Sequence, residues 1–200
     1  GHLINGKILE ILFDVVFLET PTEENLDALK KTIREEGENL AAFIYEPLVQ
    51  GAGGMRMYSA SHLDELLLLA KEQGIICIAD EVMTGFGRTG ELFASEHLEQ
   101  KPDIICLSKA LTGGVMALGV TACTEKIYQA YLTEDKTKTF FHGHSFTANP
   151  LACTAALASL DLLESTSFER MKQVCHWTRE FRTIVGNFAQ GNNAVIRNTR

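Results

Sequence analysis

Basic charge is in short supply in this sequence. Its 200 residues include 18 lysines and arginines against 26 aspartates and glutamates, a formal net charge of −8 with histidine neutral. A polyphosphate backbone is bound by basic surface that releases counterions, so nucleic acid and an anionic membrane face are excluded as natural partners. No apolar run approaches the roughly 20 residues that a membrane-spanning helix needs. The N-terminus has no succession of charged, apolar and small residues of the kind that marks a secretory signal, so no export is expected. Prolines number only four, scattered as punctuation, and there is no repeat or low-complexity tract. The five cysteines, Cys77, Cys106, Cys123, Cys153 and Cys175, contain no C-x-x-C pair. An odd set, with three members inside apolar runs, fits reduced cysteines used as small hydrophobes in the cytoplasm. No metal site is expected, because His142 and His144 have no acidic or thiol partner at ligand spacing.

What is present is a globular composition, 46% apolar and 22% charged. Short apolar runs alternate with helical patterns: Ala41 to Tyr45, Ile75 to Ala79, Asp103 to Leu107 and Gly119 to Cys123. Runs apolar at every position suit strands covered on both faces, as in a mostly parallel sheet sandwiched by helices. The fold class is therefore α/β. Ser61 and Asp64 stand at capping spacing before Leu66 to Ala70, and Gly74 closes that crossover helix. Asn149-Pro150 starts a further helix over Leu151 to Leu163, with a capping amide and a proline at the first helical position. A last helical pattern runs from Phe168 to Phe188, with Trp177 and Phe181 one turn apart. Near the beginning, Pro21 to Asn25 leads into Leu26, Leu29 and Ile33 as an amphipathic helix, with Val15 to Leu18 as a strand before it.

Two residues end buried runs in a way that bears on chemistry. Asp80 follows directly on Ala79, at the carboxyl end of a strand, where ligands of open α/β sheets bind. An isolated aspartate there as readily caps the next turn. Behind it, Thr84 to Gly90 holds three glycines and Arg88, a backbone that lets a ligand approach closely. Lys109 ends the third run in the same way. A lysine in that position is ordinarily a solvated surface residue, but its apolar strand and uncharged following segment predict partial desolvation of the amine. Desolvation lowers a lysine pKa, and a neutral amine forms a Schiff base with an aldehyde. Asp80 and Lys109 together suit pyridoxal phosphate, whose ring nitrogen needs a carboxylate partner to stay protonated.

Three blocks then agree: Asp80-Glu81-Val82 with Gly85 to Gly90, Ser108 to Gly114, and His142 to Ala152. Together they resemble the class III pyridoxal-phosphate-dependent aminotransferases, over about Ala41 to Leu163. Glu46 to Tyr58 and His142 to Cys153 are most similar to the branch that moves an amino group from S-adenosylmethionine to 8-amino-7-oxononanoate in biotin synthesis. The resemblance implies the type I fold of pyridoxal-phosphate-dependent transferases, with residues 1–164 in the large cofactor-binding domain and 165–200 opening a small C-terminal domain. It implies Lys109 as the Schiff-base lysine, Asp80 as partner of the ring nitrogen, and Val82 against the ring. Gly143 would line the substrate pocket. His144 and Ser145 would contact the cofactor phosphate across a homodimer interface, a role for which a hydroxyl and an N–H near a helix start are suited. Arg88 would face the substrate, or brace its loop, and Glu46 would hold a substrate-carboxylate arginine.

Nothing in the chain resembles the family's N-terminal phosphate loop, its ring-stacking aromatic residue or its C-terminal substrate arginine. A complete member is roughly twice as long. The chain is thus expected to be a central segment, truncated at both ends and unable to transaminate alone. Two other readings stay open: another class III enzyme acting on ω-amino acids or amines, and a non-catalytic scaffold, which would have no need of Asp80 and Lys109. A nucleotide-binding module is set aside, because Gly85 to Gly90 has neither G-x-G-x-x-G spacing nor a G-K-[ST] ending.

Overall fold

The structure is a computed structural model that describes residues 14–140, 142–167, 169, 170 and 173. The first helix, α1, spans Leu26–Glu36 and buries Leu26, Leu29 and Ile33, the positions its amphipathic pattern predicts. Asn25 does not cap it: its side chain accepts the Thr22 N–H at 2.7 Å and shapes the entering turn instead. Val15 to Leu18 belong to no strand, and Phe17 is 89% exposed.

Strands β1 (Ala42–Tyr45), β4 (Ile76–Asp80), β5 (Ile104–Leu107) and β6 (Val120–Cys123) form one sheet in that order. The first three run parallel, while β6 returns antiparallel to β5. A small hairpin, β2 (Val49–Gln50) with β3 (Arg56–Met57), follows β1. Helix α2 (Ala60–Glu72) makes the crossover from β1 to β4. Its residues Leu63, Leu66, Leu67 and Ala70 pack with those of α1 against Tyr45, Cys77 and Ala79.

The opposite sheet face differs from the expectation of cover on both sides. Among the described residues it is open, with Ile44 65% exposed and Cys123, in register with Ile104 on that face, exposed as well. Helices α1 and α2 both pack on the other face, and the regular element described between β4 and β5 is the 3-10 turn Ala94–His97. The Ser61–Asp64 capping pair also does not form. Helix α2 starts after Ser59, and the Asp64 carboxylate instead accepts the N–H groups of Glu99 and Gln100 at 3.1 and 2.9 Å. Gly74 closes the helix as predicted, in the left-handed region at φ +77°.

Beyond β6 come a short helix, α3 (Glu125–Gln129), and α4 (Pro150–Leu162). Asn149 caps α4 as its sequence predicts, its Oδ1 accepting from the Leu151 and Ala152 N–H groups at 2.9 and 3.4 Å. Ala156 and Leu160 of α4 pack beside Phe86 and Leu111. Cys77, Cys106 and Cys123 lie one in each of β4, β5 and β6 and are free. Cys175, Trp177, Phe181 and all but residues 169, 170 and 173 of the helix expected over 168–188 fall outside the described residues. Among the described residues no helix is long and apolar enough to cross a membrane.

Candidate active site

Three parallel strands end side by side. Tyr45 pairs with Ala79, and Asp80 pairs with Cys106, so Glu46 and Asp80 leave the sheet at one level and Lys109 follows two residues past the end of β5. Neighbouring strands are about 4.8 Å apart. The sheet register alone therefore gathers two carboxylates and an amine at its carboxyl edge, the place where open α/β sheets bind ligands.

Asp80 is half-buried. Its Oδ1 accepts the Val82 N–H at 3.0 Å, and Oδ2 has no partner among the described residues. The capping reading and the ligand reading of this aspartate thus hold together, one for each oxygen. Val82 is itself half-buried beside it. Glu81 is wholly buried, and its carboxylate accepts from the Thr84 hydroxyl at 2.5 Å, the Ala94 N–H at 3.0 Å and the Ser95 N–H at 2.6 Å. The glycine loop between them is tightly wound. The Gly85 N–H donates to the Glu81 carbonyl at 2.9 Å, Gly87 N–H to Leu92 and Gly90 N–H to Gly87, both at 3.1 Å. Arg88 at its tip is exposed and has no hydrogen bond or ion pair among the described residues.

Lys109 stands at φ +48°, in the left-handed region, a conformation that costs a non-glycine residue about 1–2 kcal/mol. Three hydroxyls hold the turn that carries it. Ser108 donates to the Leu118 carbonyl at 2.7 Å, Thr112 to that of Met116 at 2.5 Å, and Ser159 of α4 to that of Ala110 at 3.3 Å. The Lys109 side chain is exposed and engages no acceptor among the described residues, Asp80 included. The desolvation expected from its apolar strand is therefore not supplied by these residues.

Glu46 is fixed by its own turn: Oε2 accepts the Gly51 N–H at 2.8 Å, and the Tyr58 hydroxyl donates to the Glu46 carbonyl. A Cβ on Gly51 would lie 3.2 Å from that oxygen and 3.1 Å from the Met83 side chain, so the Glu46 carboxylate borders the segment after Asp80.

The remaining candidates lie elsewhere. Gly143, His144 and Ser145 are exposed in the turn before α4. Ser159, which touches the Lys109 turn, is nine residues beyond Pro150, about 13 Å along a helix rising 1.5 Å per residue. None of the three is hydrogen-bonded to Asp80 or Lys109 among the described residues. The His144 N–H already donates to Thr147 Oγ1 at 3.0 Å, and its Nδ1 accepts the Phe146 N–H at 3.1 Å. The Ser145 hydroxyl has no partner among the described residues and is the freer donor. Sequence reasoning missed the buried role of Glu81 and the hydroxyls of Thr84, Ser108 and Thr112. Only the i, i+3 spacing of Glu81 and Thr84 signals any of it.

This sheet edge sets an aspartate at the end of β4 beside a lysine just past the end of β5. Residues 9–191 match the aminotransferase class-III family, and the chain belongs to it. It is 47% identical over 171 residues to an adenosylmethionine-8-amino-7-oxononanoate aminotransferase of Synechococcus elongatus, a match covering 80% of this chain and 40% of the relative. The chain thus spans about two fifths of that relative's length. Among solved structures, the adenosylmethionine-8-amino-7-oxononanoate aminotransferase of Methanocaldococcus jannaschii superposes with a TM-score of 0.69 at 39% identity, over 72% of this chain and 34% of that one. An (S)-enantioselective omega-transaminase from Thermomicrobium roseum gives 0.67 at 37% identity, over 74% and 32%.

Proposed function

We propose that this chain carries the lysine and aspartate of a pyridoxal-phosphate-dependent aminotransferase that converts 8-amino-7-oxononanoate to 7,8-diaminononanoate with S-adenosylmethionine as amino donor, in biotin synthesis. The observation that carries the reading is the delivery of Asp80 and Lys109 to the ends of neighbouring parallel strands, with Asp80 Oδ2 and the Lys109 amine both unengaged among the described residues. Opposite charges on adjacent strands that do not pair fit a ligand with an aldehyde at one end and a basic ring nitrogen at the other.

Bound pyridoxal phosphate supplies an electron-withdrawing ring that stabilises negative charge at the substrate α-carbon. Asp80 would hold the proton on the ring nitrogen by its charge, its Oδ1 being anchored on the Val82 N–H and its Oδ2 left free for the ring. Lys109 would hold the cofactor and, as a free amine, would move a proton at the donor α-carbon as base and then acid. Val82 would pack against the ring. Arg88, Glu46 and Gly143 serve the substrate side, and His144 and Ser145 reach the phosphate from a second copy of the chain in a homodimer. Residues 1–164 form part of the large domain and 165–200 open the small one. The cytoplasm is the compartment we assign.

Likeness to the omega-transaminase supports a second reading, transfer from ω-amines, through the same Lys109 and Asp80. The full-length protein, loaded with pyridoxal phosphate and given 8-amino-7-oxononanoate, separates the two. Formation of 7,8-diaminononanoate with S-adenosylmethionine, at least tenfold faster than with alanine or glutamate, is expected. Turnover of ω-amines with none from S-adenosylmethionine would replace the first reading by the second.

A further inference from the structure

Along β4 and one residue beyond it, burial alternates. Cys77, Ala79 and Glu81 are buried, whereas Ile76, Ile78 and Asp80 are half-buried. Asp80 and Glu81 therefore point to opposite faces of the sheet, as successive residues of a strand must. Asp80 turns toward the open face and Glu81 toward the packed one. A wholly buried carboxylate is stable only when its lone pairs are met, and those of Glu81 are met by three donors from two separate segments. The Ala94 and Ser95 N–H groups open the 3-10 turn Ala94–His97, while the Thr84 hydroxyl comes from the glycine loop.

The backbone of Glu81 is held as well. Its N–H donates to the Cys106 carbonyl at 3.0 Å, and its carbonyl accepts the Gly85 N–H at 2.9 Å. Glu81 thus ties β5, the start of the glycine loop and the Ala94–His97 turn to one point. The Val82 N–H, which orients Asp80 Oδ1, projects from the next peptide. Its direction follows from how the chain turns at Glu81. We infer that Glu81 is the positioning residue of Asp80: its buried carboxylate sets the 81–85 turn that presents the Val82 N–H and thereby aims the second Asp80 oxygen at the ligand.

The inference rests on the reading of Asp80 given above, and the test keeps the two apart. In the full-length protein loaded with pyridoxal phosphate, the visible absorption and the induced visible circular dichroism are recorded first for the wild type and Lys109→Ala. A wild type without a Lys109-dependent band overturns the reading of the site, and this inference with it, before any Glu81 variant is made. With that band present, Glu81→Gln is compared with Leu67→Ala, a buried residue of α2 on the helix-packed face. Gln turns an amide N–H toward backbone N–H groups and breaks the three-donor cradle.

The expected result is a weakened and displaced circular dichroism band and a kcat lower by about tenfold, with KM for the amino donor changed less than twofold. Leu67→Ala, which loosens the fold as much or more, keeps the wild-type band. Glu81→Gln with a lowered melting temperature but wild-type band and kcat overturns the inference. If Glu81→Gln does not fold, Thr84→Val removes a single donor at nearly constant volume. A smaller shift in the same direction supports the inference, and a wild-type spectrum overturns it.

Discussion

Asp103 and Cys77 hold each other by two hydrogen bonds. The Cys77 N–H donates to Asp103 Oδ2 at 2.8 Å, and the Asp103 N–H donates to the Cys77 carbonyl at 2.8 Å. The pair stands one residue before the Ile78–Ile104 match that opens the β4–β5 ladder. A slip of one residue there would move Asp80 against Lys109 and exchange the faces of every side chain on the strand.

Removing the Asp103 carboxylate leaves a strand N–H without its partner, so Asp103→Ala is expected to lose about 1–3 kcal/mol of stability. Asp103→Asn keeps an acceptor oxygen and is expected to lose less. Urea unfolding followed by circular dichroism checks both, and equal midpoints for wild type and Asp103→Ala would contradict the clamp.

The same cysteine makes stability depend on alkaline pH. Burial, aided by the nearby Asp103 charge, raises the Cys77 thiol from its ordinary 9.0 to about 11. The unfolded chain releases this proton near pH 9 while the folded chain keeps it until about 11. The contribution is thus fully present below pH 9 and is lost as pH rises through that window. Tyr45 and Tyr58, also raised by burial, extend the loss to higher pH. Melting temperatures between pH 8 and 11 are expected to fall steadily, and Cys77→Ala to fall less steeply. Parallel slopes would contradict the assignment. Cys123, exposed on β6, is expected to react with a thiol reagent at pH 8 long before Cys77 does.

Gly85 is required for space. A Cβ there would lie 2.9 Å from the Glu81 carbonyl oxygen, a backbone atom that is itself bonded to the Gly85 N–H. Gly85→Ala is expected to destabilise the fold by about 1–3 kcal/mol, as overpacking does. The same change is expected to weaken cofactor retention, measured by dialysis and the residual visible band. Unchanged stability would show that the 81–85 turn is looser than described.

Much of this was legible beforehand because the decisive signals are local. Apolar runs locate β1, β4, β5 and β6, and Asn149-Pro150 begins α4 with the cap it predicts. The same runs predict Asp80 at the end of one strand and Lys109 just past another, and Asp80 ends β4 while Lys109 follows β5 by two residues. The rest depends on tertiary choices that composition does not encode. An apolar run records that both faces avoid water, and says nothing of which helix covers which face, so the open side around Ile44 was not foreseen. Ser61 and Asp64 have capping spacing, but Asp64 is taken by the Glu99 and Gln100 N–H groups from another part of the chain. Glu81 looked like the neighbour of a functional aspartate, because its donors at 94 and 95 are brought in only by folding.

The central claim is that Lys109 is the residue that bonds the cofactor. Mixing the full-length protein with pyridoxal phosphate, reducing with borohydride and locating the added mass by peptide mass spectrometry tests it most directly. The account predicts the label on Lys109 alone, and its disappearance in Lys109→Ala. A label on another lysine, or one spread over the surface lysines and unchanged in Lys109→Ala, would contradict it.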